Sequence, residues 1–169
     1  ALLFRAKEID DGAIPSGNSV AVWNALRLGH MTGDPAYEEE AESALRAFAP
    51  QADTSPLGSM QLFVALDFAL GPTCEIVIAG RQEGEDTRAL VRAAHELYLP
   101  RAVLLLRPTD QADPPVTKLA PFTQEQTGQH GRAAAYVCRD HACARPVVEP
   151  DALQGVLQSP SAPSAAQGQ

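Results

Sequence analysis

The hydrophobic period of the chain changes near Gly71 and Pro72, and this change limits the folds that are open to it. Before that point, apolar residues recur at helical spacing; after it, they form short unbroken runs that are typical of buried strands. A chain of 169 residues normally forms one domain, or one domain with a small addition. We therefore predict a mixed α+β chain with a helical part over residues 1–71, a small α/β part over 72–158 and a disordered, Pro-, Ser- and Ala-rich tail over 159–169.

Three helices are predicted in the first part. The first covers residues 16–31 and is apolar on nearly every side, so we expect it to be buried from several directions. The second begins after Asp34, because an acidic cap followed by Pro35 is a typical helix start. The third begins near Ser55 and ends at Gly71.

The second part contains a predicted strand–helix–strand unit. Residues 74–79 and 102–106 are apolar almost throughout, and the segment from about Asp86 carries apolar residues on one helical face. Strands of this kind are typical of parallel sheets that are covered on both faces, so we predict a right-handed parallel βαβ unit. A third strand is predicted over 133–138 and a last short helix over 151–157.

The net charge argues against two classes of partner. The chain has a formal charge of −8 and a pI near 4.9, and such a surface repels phosphate backbones and anionic lipid headgroups. No stretch approaches the roughly 20 apolar residues of a membrane span, and the first residues are not a signal peptide. We therefore expect neither nucleic acid nor a membrane as a partner, and we expect no cofactor. The odd number of cysteines, three, favours a cytoplasmic location.

Three segments carry a resemblance to a known family. They are KEIDDGAIPSGNSVA at residues 7–21, LAPF at 119–122 and GRAAAYVCRDHACARPV at 131–147. Together they resemble the C-terminal end of the thioredoxin-domain-containing family that includes spermatogenesis-associated protein 20, over nearly all of residues 1–150. The resemblance implies a thioredoxin-like domain followed by an α/α toroid similar to six-hairpin glycosidases and sugar 2-epimerases. This sequence contains neither the Trp-Cys-His segment of the thioredoxin-like domain nor a complete set of toroid helices.

On this resemblance, residues 16–70 are the last helices of the toroid and residues 73–157 are a C-terminal α/β appendage. We expect a structural and ligand-cavity module that is not catalytic by itself, with the thioredoxin-like domain and the other toroid helices as its partners. The alternative is that the chain is part of a carbohydrate-active toroid enzyme and binds a carbohydrate-like small molecule. This alternative rests on fold analogy. A thiol-redox accessory module is a second alternative. Apolar helix faces without their neighbours would also favour self-association.

The segment between Asp11 and Ser19 holds the candidate ligand-cavity residues. Its glycines and proline force a tight path into the first helix, where polar side chains gather near free amide groups. In a toroid, such helix starts line the cavity that a polyhydroxyl ligand would occupy. Helix caps prefer the same residue types, and we favour capping over ligand contact. No second carboxylate for acid–base hydrolysis can be assigned. The candidate residues are Asp11, Ser16, Asn18 and Ser19.

Cys138, His141 and Cys143 form a second cluster, in the pattern C-x2-H-x-C. We favour buried structural thiols, because cysteine is among the most often buried residues. A Cys138–Cys143 disulfide or a redox relay is the alternative. A zinc site with Cys74 as the fourth ligand is a further alternative, although the spacing lacks a second standard ligand pair.

Two other features are assigned no site. The loop at residues 80–84 lies between a strand and a helix, where phosphates often bind, but Glu83, Glu85 and Asp86 would repel a phosphate. The histidines form no Ser/His/Asp arrangement. Trp23 lies at helical spacing in an apolar stripe and is interpreted as core rather than as a platform for a sugar ring.

Overall fold

A computed structural model of the chain describes residues 7–139 and 142–159. The chain divides into two compact units between Thr73 and Cys74. The first unit is helical, and the second is built on a mixed sheet with helices. Apart from Ser159, the predicted disordered tail lies outside the described residues.

In the first unit, one helix packs against two others. The α1 helix contacts both α2 and α3, whereas α2 and α3 make few contacts with each other. Val22 and Leu26 of α1 are accordingly almost fully buried. The helices are α1 (Gly17–Thr32), α2 (Pro35–Thr54) and α3 (Met60–Leu70), the last preceded by a 3₁₀ turn at Leu57–Ser59.

The starts of α1 and α2 follow from local sequence. Ser16 caps α1, because its Oγ accepts a hydrogen bond from the Ser19 N–H at 3.1 Å. Asp34 caps α2 by accepting from the Ala36 N–H at 3.0 Å. Between the two helices, Gly33 adopts a φ of 74°, a conformation that glycine reaches without the steric cost of a Cβ.

The α1 helix is less enclosed than the sequence predicts. Leu28 is 41% exposed, and Trp23 is only half-buried, so the expected burial from several directions is wrong for part of the helix. The Arg27 guanidinium lies 5.1 Å from the centre of the Trp23 ring and covers the indole from the same helix. A cation in this position occupies the face on which a sugar ring would stack.

The second unit contains a four-stranded sheet in the order β2-β1-β3-β4. The β1 and β2 strands are parallel, and α4 (Glu85–His95) lies between them in the chain. The β3 strand runs antiparallel to β1, so the parallel arrangement expected from the sequence applies to β1 and β2 alone. The strands are β1 (Cys74–Gly80), β2 (Ala102–Pro108), β3 (Ala134–Arg139) and β4 (Ala142–Cys143).

The core of the second unit lies between one face of the sheet and two helices. Ile76 and Val137, which are paired across β1 and β3, pack in one cluster with Leu90 of α4 and Leu153 of α6 (Pro150–Gln158). A short helix, α5 (Val116–Leu119), contacts β2 and is followed by a 3₁₀ turn. The sequence did not predict α5, because four residues are too few to show a helical period.

Candidate functional site

Asp11 joins separate chain segments of the first unit. One carboxylate oxygen accepts a hydrogen bond from the Ser16 N–H at 2.9 Å, and the other accepts from the Gln61 N–H at 2.7 Å. Gln61 lies in the first turn of α3, where amide groups have no partner within the helix. The Asp11 N–H in turn donates to the carbonyl of Gly58 at 2.6 Å. The carboxylate of Asp11 therefore caps α3 across a sequence separation of 50 residues.

The neighbouring polar side chains bond to one another and to the segment before the helix. The hydroxyls of Ser16 and Ser19 lie 3.0 Å apart, and Ser19 has no exposed surface. Asn18 Nδ2 donates to the carbonyl of Glu8 at 2.7 Å, and the Ser16 hydroxyl reaches the same carbonyl at 3.4 Å. This network attaches the preceding extended segment to the start of α1.

The structure thus brings the four candidate cavity residues together. Ser16 and Ser19 are buried and bonded within the cap, whereas Asp11 and Asn18 keep part of their surface exposed. Hydrogen bonds within the first unit account for all four residues. Contact of Asp11 or Asn18 with a ligand stays a prediction.

Cys138 and Cys143 form a disulfide. They are directly opposed in the β3–β4 hairpin, with a Cα–Cα distance of 3.9 Å and an S–S distance of 2.10 Å. The favoured prediction, that these cysteines are unpaired structural thiols, is therefore wrong. The structure has the disulfide that was the alternative prediction. Cys138 is almost fully buried, whereas Cys143 is exposed. The two-residue β4 strand, which sets this pairing, is too short for its pattern to be recognised.

Cys74 lies on the other face of the sheet. Side chains alternate along a strand, so Cys74 shares a face with Ile76, whereas Cys138 is opposite Glu75 and shares its face. Burial raises the pKa of the Cys74 thiol to about 11, which the nearby charge of Arg139 partly offsets. A buried, protonated thiol on the opposite face is a poor metal ligand.

The predicted zinc cluster has no support from the described residues. His141 lies outside them, Cys74 is turned away from the hairpin, and the two remaining thiols are bonded to each other. Within residues 7–139 and 142–159, no group of three or more His, Cys, Asp or Glu side chains is placed to hold a metal ion. In the same part of the chain, no helix has both the length and the apolar character to cross a membrane.

The acidic start of α4 forms specific hydrogen bonds. The carboxylate of Asp86 accepts from the Ala133 N–H at 2.7 Å and from the Thr87 N–H at 3.0 Å. These bonds, the one from Ala133 above all, lower the pKa of Asp86. Glu83 forms an exposed ion pair with Arg88 at 3.1 Å. The loop at 80–84 also borders a cleft that was not recognised from the sequence, because its walls come from three separate segments.

Sequence comparison relates the chain to spermatogenesis-associated protein 20. The chain is 33% identical to the Homo sapiens protein of that name over 156 residues, and 31% identical to those of Rattus norvegicus and Mus musculus over the same length. Each match includes 92% of this chain but 20% of the relative, so the chain spans about a fifth of the length of these curated relatives. No family model and no solved structure matches the chain.

Proposed function

From the homology of this chain to spermatogenesis-associated protein 20, we propose that it is a structural module from the C-terminal end of a longer protein and is not catalytic by itself. The first unit carries this proposal: its polar candidate residues are bonded within a helix cap, while large apolar side chains face outwards. Ile14, Leu57 and Leu70 are each more than three-quarters exposed. A surface of this kind is typical of an interface that a neighbouring element covers.

The first unit also has an apolar groove between α2 and α3. It has a volume of about 480 Å³ and is open to solvent. Met60 and Val64 of α3 are about half exposed, although both are apolar. Apart from Asp53, the groove is apolar, and its main lining residues are Leu45, Ala49, Pro50, Leu62, Phe63 and Leu66.

We assign the groove to helices of the same longer chain. The relatives are about five times as long as the aligned segment, so most of their sequence lies elsewhere in the molecule. In the α/α toroid that the family resemblance implies, each helical hairpin packs against the next. The connection between α1 and α2, formed by Gly33 and Asp34, supports assigning these helices to such a hairpin. In this arrangement the thioredoxin-like domain is a further partner in the same protein.

A comparison of this chain with its full-length parent tests the proposal. Val64→Ser and Leu70→Ser remove exposed apolar side chains, and Glu40→Ser is the control at an exposed polar position. In this chain alone we expect each variant to change the free energy of unfolding by less than about 0.5 kcal/mol. In the parent, the two apolar variants should lose about 1–3 kcal/mol, because those side chains are then buried.

Equal, small effects in both proteins would contradict the proposal. Sedimentation velocity distinguishes coverage by helices of the parent from self-association of this chain. If the chain dimerises through α3, Val64→Ser should dissociate the dimer. Such a dimer, together with unchanged stability of the parent variants, would assign the exposed apolar surface of α3 to a second copy of the chain.

In the carbohydrate-active alternative, Asp11 and Asn18 would line a cavity completed by other toroid helices. Asp11→Asn in the parent tests this role. Loss of sugar binding with retained stability would favour a site, whereas loss of stability alone would favour the cap.

The disulfide favours a second candidate function, that of a thiol-redox accessory. An incoming thiolate would attack the Sγ of Cys143, the more exposed of the two residues, and form a mixed disulfide there, while Cys138 leaves as a thiolate. Mass spectrometry under non-reducing conditions should find the two cysteines bridged, and titration with a dithiol should reduce them reversibly. A bridge that resists dithiols under native conditions would instead be a structural crosslink. The cytoplasmic location was predicted from the odd number of cysteines, but two of the three are paired. The location therefore stays a prediction.

A further inference from the structure

A cleft opens in the second unit beside the carboxyl ends of β1 and β2. Its volume is about 430 Å³, which lies in the range of small-molecule sites. Its walls come from the segments that follow the two parallel strands and from the turn that precedes β3. Ligands of α/β proteins bind preferentially beyond the carboxyl ends of the strands, so the position is a common one for a binding site.

Three arginines line this cleft, and two of them make no ion pair with a described acid. Arg132 pairs with Glu149, whereas Arg81 and Arg107 have no such partner within residues 7–139 and 142–159. The Arg107 Nη atoms reach the carbonyls of Pro108 and Gln124 only at 3.5 Å, the limit of a hydrogen bond.

The Nε of Arg107 is buried and has no acceptor among the described residues. A guanidinium group has five N–H donors, and buried donors without a partner are rare in folded proteins. Arg107 therefore has donor capacity that the described part of the chain does not use. An anion in the cleft would supply acceptors for the Arg107 Nη groups, whose present contacts are at the limit of a hydrogen bond.

Hydrogen bonds between loops hold the walls of the cleft in place. The Thr109 N–H donates to the Gly80 carbonyl at 2.9 Å, and the Asp110 carboxylate accepts from the Gln82 N–H at 3.2 Å. On the opposite wall, His130 and Gly131 form a tight turn with positive φ values of 53° and 75°. A cleft with fixed walls needs little reordering when a ligand enters, which favours binding.

The acids in the cleft are directed at backbone amides. Asp86 accepts from Thr87 and Ala133, and Asp110 accepts from Gln82, so the hydrogen bonds of both carboxylates go to backbone amides. The charge of Arg81 adds a smaller contribution to the lowered pKa of Asp86, without a direct ion pair. Their remaining lone pairs can accept hydrogen bonds from hydroxyl groups. The acidic repulsion predicted from the sequence would still act on a bare polyanion, but these carboxylates would bind a ligand that carries hydroxyls as well as an anionic group.

We propose that this cleft binds a small phosphate monoester that also carries hydroxyl groups, such as a sugar phosphate. The guanidinium groups of Arg81 and Arg107 match the double negative charge and the oxygens of one phosphate. Asp110 and the cleft-lining Thr109 and Thr127 supply acceptors and donors for hydroxyls. The chain's net charge of −8 argues against a long polyphosphate such as nucleic acid. This inference is independent of the proposed structural role of the first unit.

Isothermal titration calorimetry of the 169-residue chain with glucose 6-phosphate, inorganic phosphate and glucose tests the inference. We expect glucose 6-phosphate to bind more tightly than inorganic phosphate, and glucose to bind least. Arg81→Gln and Arg107→Gln should each weaken glucose 6-phosphate binding by about tenfold or more, because each removes charged hydrogen bonds. Arg92→Gln is the matched control, since Arg92 is exposed on α4 and is not among the residues that line the cleft.

Three outcomes would overturn the inference. They are no binding of glucose 6-phosphate at millimolar concentration, equal losses in Arg92→Gln and Arg81→Gln, and equal affinity for glucose and glucose 6-phosphate. Because Arg107 is partly buried, circular dichroism should accompany the titration of Arg107→Gln. Arg81 is exposed, so Arg81→Gln tests the site even if the Arg107 variant does not fold.

Discussion

The two units of the molecule differ in how completely they enclose their apolar residues. In the second unit, Ile76, Leu90 and Leu153 have almost no exposed surface and lie between the sheet and two helices. In the first unit Phe68 is equally buried, but the neighbouring Leu70 is 77% exposed. A sheet covered by helices encloses a core by itself, whereas two helices packed against a central one leave their outer sides open.

The comparison indicates that the proposed neighbouring helices would stabilise the two units to different extents. The second unit has a closed core, so most of its stability should be intrinsic. The first unit has an open apolar groove and exposed leucines, which additional helices would cover. Both units, however, use an aspartate to connect a helix start to a distant segment: Asp11 for α3 and Asp86 for α4.

The largest expected effect comes from matched leucine deletions in the two cores. Leu90→Ala should lower the free energy of unfolding of the second unit by about 3–5 kcal/mol, because it leaves an enclosed cavity. Leu62→Ala should cost the first unit about 2 kcal/mol, since Leu62 borders the open groove and its deletion leaves a space that joins solvent. Hydrogen exchange of the amides of β1 and α3 during denaturant titration measures the free energy of unfolding of each unit. Equal losses would contradict the difference between a closed and an open core.

A smaller effect is expected at the cap of the first unit. Asp11→Ala should lower the stability of that unit by about 1–2 kcal/mol, because the Ser16 and Gln61 N–H groups lose their acceptor. Asp10→Ala is the control, since Asp10 is exposed and its contact with Gln51 is long, at 3.4 Å. Chemical denaturation followed by the fluorescence of Trp23, the single tryptophan, measures both variants. Identical midpoints for the two would show that Asp11 does not brace the helices.

The smallest effect concerns the corresponding aspartate of the second unit. Hydrogen bonds from Ala133 and Thr87 lower the pKa of Asp86 in the folded state. The unfolded chain therefore takes up this proton first, so the stabilisation is present above the ordinary aspartate pKa of about 4 and is lost as the pH falls through the lowered value. Asp86→Asn should cost about 1 kcal/mol at pH 7, and the difference from the original protein should shrink below pH 4. A difference that does not change between pH 7 and pH 3 would mean that the charge of Asp86 is not involved.

Much of the local structure could be predicted from single segments. The Asp34–Pro35 helix start and the apolar runs of β1 and β2 depend on neighbouring residues, so their patterns are visible in the sequence. The α5 helix and the β4 strand could not be predicted, because each is shorter than the window in which a period can be recognised. The exposure of Leu28 was missed because an apolar pattern does not show whether a neighbour is present.

The candidate sites show the same division. The capping role of Ser16 follows from its type and position, and the structure places its Oγ on the Ser19 N–H. The bond from Gln61 to Asp11 could not be predicted, because it joins residues 50 positions apart. The convergence of Arg81, Arg107 and Arg132 on one cleft likewise depends on the order of the strands.

By itself, the sequence determined the features that arise between close neighbours: the helix caps, the strand runs, the change of period near Gly71 and the resemblance to a larger family. The tertiary structure decided the direction of β3, the Cys138–Cys143 disulfide, the isolation of Cys74 on the opposite face and the arginine cleft. These features depend on which distant segments are brought together and on which side of the sheet each side chain lies. That information arises from packing the elements against one another, and no local pattern contains it.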